Sequence, residues 1–220
     1  RRVLELCALA RFVRLAHLEA TAEESVLVHL ERAGHIEVVG EGVDELVALR
    51  RPELGAALAA GLEGSARLDR LAELVALVDP DGRGEGLDDR ELVDTAAWRT
   101  ELGGPIRPEL LLAAAEAALR RGDPRRARAF AEHASRLGEA ERAAPVLAGA
   151  LEAVGDAAGA LAVLEEAWRR APAEERVALV PRLAGAHLHA SDDPDATGRL
   201  VGELAGSLDG AVARATTRAS

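Results

Sequence analysis

Apolar residues recur along the start of the chain at helical spacing. Val3, Leu4, Leu6, Cys7 and Leu9 lie close to one face of a helix over residues 3–10. A second short helix is expected over 14–20. Thr21 stands where an N-cap belongs, with Glu24 three residues on as a capping-box partner, so a third helix is expected over 22–33. Its apolar stripe is Val26, Leu27 and Leu30, and Gly34 supplies the C-terminal cap. The period then changes. HIEVVG, EGVD and ELVALR place two apolar runs around a glycine-containing turn, which predicts a β-hairpin with strands near 35–39 and 45–50.

Three helices followed by a hairpin is the order of a winged helix. Further helices follow it. Pro52 suits the first turn of one, RPELGAALAAGL. Ser65 caps the next, which puts Leu68, Leu71, Leu74, Val75 and Val78 on one face.

Residues 79–91 read DPDGRGEGLDDRE and look at first like a calcium loop. Such a loop needs oxygen ligands at positions 1, 3 and 5, glycine at 6 and a bidentate glutamate at 12. Here position 5 is Arg83 and position 12 is Arg90, with Glu91 one residue late. Cations at ligand positions turn the reading away from metal, and the glycines and mixed charge suit a flexible connector over 79–87. DPDATG, from Asp193, fails in the same way, because its twelfth position is Leu204.

Beyond the connector the sequence repeats itself. LRRGDPRRARAFAEHA (119–134) matches LEAVGDAAGALAVLEEA (151–167). Gly122 maps to Gly155, Asp123 to Asp156, Ala127 to Ala160 and Phe130 to Val163, all at an offset of 33. A weaker third copy places Asp193, Thr197, Leu200 and Leu204 a further 37 on. In each copy one helix ends at the glycine, the aspartate caps the next helix, and a small alanine lets the two approach. A period near 34 built on a helix–turn–helix unit is the tetratricopeptide signature. Helices are expected near 88–101, 108–121, 124–137, 139–154, 157–171, 173–190 and 194–208. The fold expected is mainly α. A winged-helix-like unit with one β-hairpin and its linker helices (1–78) and the loop (79–87) precede a tetratricopeptide-like α-solenoid (88–220).

Composition narrows the function. Apolar residues make up 49% of the chain and aromatics 2%, so the core must be Leu, Val and Ala. The net charge of −11 argues against a nucleic-acid surface over the chain as a whole. Between 21 and 46 seven acids (Glu23, Glu24, Glu31, Glu37, Glu41, Asp44, Glu45) face one Arg, Arg32, a balance that phosphates repel. The single cysteine, Cys7, excludes an internal disulfide and sits in an apolar run as a small buried hydrophobe. No apolar run reaches the ~20 residues needed to span a bilayer, so a cytoplasmic protein with no membrane partner is expected. No Met starts the chain, and a piece of a longer protein is expected.

No nucleophile–base pair stands out, since the six serines fall at caps or in the tail and none sits in a glycine elbow. The segment is therefore expected to have no catalytic and no metal-binding residue. His17 and His133 stand alone, and His187 and His189, two apart on a helix, point to different faces. Arg120, Arg121, Arg125, Arg126 and Arg128 cluster at the first repeat turn. They form either a solvated face paired with Glu116, Asp123 and Glu132 or a docking patch for an acidic partner.

The order of parts, with the stretches VALRRPELGAAL (47–58), AAWRTELGG (96–104) and LLLAAAEAALRRGDPRRA (110–127), resembles the middle of large LuxR-type transcriptional regulators. These are STAND-class ATPases abundant in actinobacteria. The resemblance covers nearly the whole chain. It implies an upstream ATP-binding domain and a DNA-binding helix-turn-helix at the far end, both partners in cis. ATP or ADP would belong to that parent protein, with no cofactor in this chain. It implies also that the winged helix packs on the nucleotide domain and that the repeats receive a peptide, protein or small-molecule effector. The family commonly places an aromatic-Arg-His-Pro stretch after the hairpin, its His sensing the nucleotide. Here that stretch is Leu49, Arg50, Arg51, Pro52, so Arg50 and Arg51 are the nucleotide-proximal candidates and Arg51 holds the His position. The function expected is a sensor and coupling segment with no nucleic-acid contact of its own. A free-standing repeat scaffold that binds proteins is the alternative.

Overall fold

The computed structural model describes residues 1–42 and 45–190, with Gly198, Gly202 and Gly206. Eleven helices and three strands lie among the described residues. The chain divides into two compact units, Arg1–Ile106 and Arg107–Ser220.

The first unit begins α1 (Arg2–Ala10), β1 (Phe12–Arg14), α2 (Leu15–Glu19), α3 (Glu24–Arg32), β2 (Ile36–Val39), β3 (Leu46–Leu49). The strands form one antiparallel sheet in the order β1-β3-β2. Val13 stands opposite Val47, and Val47 opposite Val38, so one row of β-branched side chains crosses the sheet. Val13 and Val47 are buried and meet Leu6, Cys7, Leu18, Leu27, Leu30 and Ile36 in the core. This is the winged-helix order with its sheet complete. The helices α4 (Pro52–Ala60), α5 (Gly64–Val78) and α6 (Asp89–Leu102) close the unit. Leu71, Leu74 and Val75 of α5 and Trp98 of α6 join the same core.

Several local expectations are corrected. Strand β1 fills the gap between two expected helices and takes Arg14, the first residue of the second. At three residues it is too short to show a period, and it exists because β3 offers it a hydrogen-bonding edge. Arg11 makes the break before it, with φ 62. Thr21 does not cap α3. Its hydroxyl donates to the Leu18 carbonyl at 3.1 Å, and α3 starts at Glu24 behind an N-cap, Glu23, whose side chain makes no capping bond. Ser65 lies inside α5 rather than ahead of it. Val26 and Leu68, expected on core faces, are 41% and 42% exposed.

The division between units falls after Ile106, not at the 79–87 loop. Helix α6, expected to open the repeats, belongs with the first unit because α5 and the sheet both hold it. Arg67 of α5 makes a bidentate pair with Glu101 of α6, at 2.5 and 3.1 Å. Arg99 of α6 reaches back to Asp79, with Nε 3.2 Å from the carboxylate and Nη2 2.5 Å from the carbonyl. Asp79 is buried and also accepts the Gly84 amide at 2.9 Å. Its carboxylate is therefore filled by protein donors, and the loop that suggested calcium is fastened at its first residue.

The second unit is built of α7 (Pro108–Arg120), α8 (Pro124–Arg136), α9 (Ala140–Ala153), α10 (Ala157–Arg170) and α11 (Ala173–Ala190). Each expected helix from 108 to 190 is present within two residues of its expected ends. The third repeat copy from Asp193, the helix expected over 194–208 and the DPDATG stretch lie outside the described residues. Helix α7 packs on α8 and α9, and α9 on α10 and α11. Alanines carry the close approach: Ala114, Ala117, Ala127, Ala134, Ala150 and Ala160 are fully buried. With so few aromatics, helix axes must come near one another for the core to fill.

Candidate functional site

The repeat turns are the best-defined local chemistry in the second unit. Helix α7 ends with Gly122 at φ 73, and α9 ends with Gly155 at φ 83, a conformation that side-chain-bearing residues avoid. The Gly122 amide donates to Leu119 and the Asp123 amide to Ala118; the Gly155 and Asp156 amides do the same to Glu152 and Leu151. The same aspartates then cap the next helix. Asp123 Oδ1 accepts the Arg126 amide at 3.1 Å, and Asp156 Oδ1 accepts the Gly159 amide at 2.9 Å. Ala127 and Ala160, one turn in, are fully buried. Helix α8 closes by the same scheme on Gly138, its successor Glu139 bonding Ala134. The α7–α8 and α9–α10 turns are thus one glycine plus one aspartate shared by two helices, while Glu139 opens α9 with no side-chain cap.

This geometry lays α7, α9 and α11 side by side. Two of these helices carry an internal proline, Pro145 and Pro181. Arg182 of α11 donates to the Pro145 carbonyl at 2.8 Å. A small pocket of about 130 Å³ opens beside it, lined by Ala148, Glu152, Leu164, Arg182 and Gly185. The signal for this seam is in the sequence: PVLAGA at 145–150 recurs as PRLAGA at 181–186. Gly149 is closely packed, and a Cβ there would lie 3.3 Å from Leu119 Cδ1, which would have to give way by a few tenths of an ångström.

All five arginines of the first repeat turn are exposed. Arg120 lies 3.9 Å from Glu116, Arg126 3.5 Å from Asp123 and Arg128 2.7 Å from Glu132. Arg121 and Arg125 have no ion pair among the described residues.

In the first unit, α3 occupies the place of the helix that enters the DNA groove in winged helices. Its exposed residues include Glu23 at the cap, Glu24 and Glu31. His29 and Arg32 are exposed on the same helix. Arg50 and Arg51 are both exposed. Arg51 is the N-cap of α4 and makes no side-chain capping bond. Arg50 lines a cleft beside β3, together with Cys7 and Arg11. The structure therefore separates the two nucleotide-proximal candidates, one on the cleft and one at a helix start. Burial pushes the Cys7 thiol up to about 12, so it carries no thiolate near neutral pH.

A polar cluster that the sequence did not reveal joins β1 to α6. Arg14 Nε and Nη2 donate to the two carboxylate oxygens of Glu91 at 2.6 and 2.7 Å. Glu91 also accepts the Asp88 amide, while Asp88 accepts the Glu91 amide at 2.8 Å, a complete capping box. Arg90 Nη1 donates to the Phe12 carbonyl at 2.8 Å. Arg90 and Arg11 each stand 5.8 Å from the centre of the Phe12 ring. His17 is not isolated: its Nε2 is 3.9 Å from Glu91. Burial, outweighing the attraction of Glu91, holds its pKa below the usual 6.5. The capping-box spacing Asp88-x-x-Glu91 could have been read from the sequence; the partner on β1 could not. Nδ1 of His187 is buried with no partner, and no group of three His, Cys, Asp or Glu placed to hold a metal ion occurs among the described residues.

A scan against protein-family models, a search of curated proteins and a search of solved structures each find no match. Among the described residues no helix is long and apolar enough to cross a membrane.

Proposed function

We propose that this chain is a non-catalytic regulatory segment. It would bind a protein, peptide or small-molecule effector through its helical repeats and relay that binding through the winged-helix unit. The observation that carries this reading is the acidic face of α3: a winged-helix order whose groove-reading position shows Glu23, Glu24 and Glu31 suits packing against protein rather than phosphate. The repeat unit supports it, since α7, α9 and α11 lie side by side, the arrangement that repeat proteins use to hold extended partners. On the sequence resemblance, the segment belongs to a cytoplasmic, ATP-dependent regulator of the LuxR type, with the nucleotide-binding and DNA-binding domains elsewhere in the same protein. Effector binding would then bias two packings of the winged helix against its ATPase domain.

The test is to read the coding DNA on both sides of this segment. A phosphate-binding loop upstream and a helix-turn-helix downstream support the regulator. A start just before Arg1 and a stop just after Ser220 would leave the free-standing scaffold and remove the relay.

A further inference from the structure

We infer that the cleft beside β3 is a binding site for a small organic monoanion, a carboxylate carried on an apolar body. The cleft encloses about 360 Å³, within the range of small-molecule sites. It lies wholly in the first unit and does not depend on the reading of the repeats. Its lining includes the apolar side chains of Phe12, Leu49 and Pro52 and the un-ionised Cys7. Arg11 and Arg50 line it as well, and neither has an ion-pair partner among the described residues. Two guanidinium groups beside apolar side chains, with Glu37 on the same lining, fit a ligand with one anionic end and one greasy end.

Two further features sharpen the class. Arg11 is the one non-glycine residue at positive φ among those described. Strain of that kind persists where the surroundings hold a side chain to a task. Here it turns the chain between α1 and β1 and leaves Arg11 on the cleft and near the Phe12 ring. Glu37 from β2 also lines the cleft. Its carboxylate repels a second negative charge, which favours a monoanion over a nucleotide di- or triphosphate, and it can accept a hydrogen bond from a ligand hydroxyl or amine.

The test uses the full chain, labelled with ¹⁵N, titrated with 2-naphthoate, 2-naphthamide, inorganic phosphate and ADP in parallel. Naphthoate should shift the amides of Arg11, Phe12, Glu37, Arg50 and Gly55 and saturate below about 5 mM. Arg11→Ala and Arg50→Ala should each weaken it about tenfold. Ala56→Phe, which leaves both arginines in place and fills the cleft from α4, should abolish it while the circular dichroism stays unchanged. The inference is overturned if naphthamide, phosphate or ADP shifts the same amides as strongly, or if naphthoate shifts none of them. It is overturned also if Ala56→Phe binds like the parent chain.

Discussion

Arg14 and Glu91 lie 77 residues apart and meet through two parallel hydrogen bonds, at 2.6 and 2.7 Å, with Glu91 almost wholly buried. That pair fixes the N-terminus of α6 to the edge strand of the winged-helix sheet. Removing Arg14 leaves the buried Glu91 carboxylate with the Asp88 amide and, 3.9 Å away, Arg90 and His17. Arg14→Ala should therefore cost about 3 kcal/mol or more in urea unfolding of the full chain. The double change Arg14→Leu with Glu91→Gln should cost less than the sum of the singles. Additive losses would mean that the pair contributes through each residue's other contacts and not through the bond between them.

The repeat turns predict a second, smaller set of effects. Asp123→Ala and Asp156→Ala each remove one cap and should cost about 1 kcal/mol. Gly122→Ala and Gly155→Ala force alanine into a left-handed conformation and should cost roughly 1–2 kcal/mol each. Thermal melts of the four variants provide the check. No loss in either glycine variant would show that these turns relax.

Gly159 offers a sharper case. A Cβ built there runs into the Asp156 carboxylate, which lies over it as the cap of α10. In the parent chain, Gly159→Ala gains helix propensity and loses the cap, and the two effects roughly cancel. With Asp156→Ala already present, the same change should stabilise by about 1 kcal/mol. A double-mutant cycle that returns no coupling would contradict this packing.

Acid should weaken the chain in two steps. The folded pKa of His17 lies below 6.5 because burial disfavours its cation. The unfolded chain thus binds the proton first, and stability falls as pH drops below about 6.5. Arg1 and Arg70 hold Glu5 below its ordinary 4.5, and Arg67 does the same for Glu101. The stability from these carboxylates is present above about 4.5 and is lost as pH falls through their folded values. His17→Gln should remove the first step and leave the second, as followed by urea midpoints from pH 8 to pH 3. A first step that survives the substitution would place it on another group.

Cys7 provides a clock for opening. It is buried, with a thiol that holds its proton to about pH 12. A disulfide reagent at pH 8 should label it only as fast as the first unit unfolds, and at once in denaturant. Rapid labelling of the native chain would show that α1 opens locally or that the reagent reaches the thiol through the cleft beside β3.

How much of this was legible in the sequence depends on how local each interaction is. Helix α8 was expected over 124–137 and spans Pro124–Arg136, because Gly122, Asp123 and Pro124 fix its start within three residues. The hairpin was legible for the same reason, as its turn and both runs are contiguous. Strand β1 was not: three residues become a strand only when β3 arrives beside them. Glu91 was read as the end of a calcium-like run, yet its work depends on an arginine at the far end of the unit. Thr21 had the right spacing for a cap and bonded backward instead, to Leu18, since α2 left a carbonyl within its reach. The cleft could not have been foreseen, because Arg11, Glu37 and Arg50 come from three separate stretches.

Asp123 closes α7 with its amide and opens α8 with its carboxylate, and Asp156 does the same for α9 and α10. A helix that frays at its C-terminus therefore takes away its neighbour's first hydrogen bond. Disorder passes along the backbone as well as through the packed alanines, so α7 with α8 and α9 with α10 are coupled twice. A partner that tightens α7 would firm α8 without touching it, and one that tightens α9 would firm α10, so each helical pair would answer as one piece.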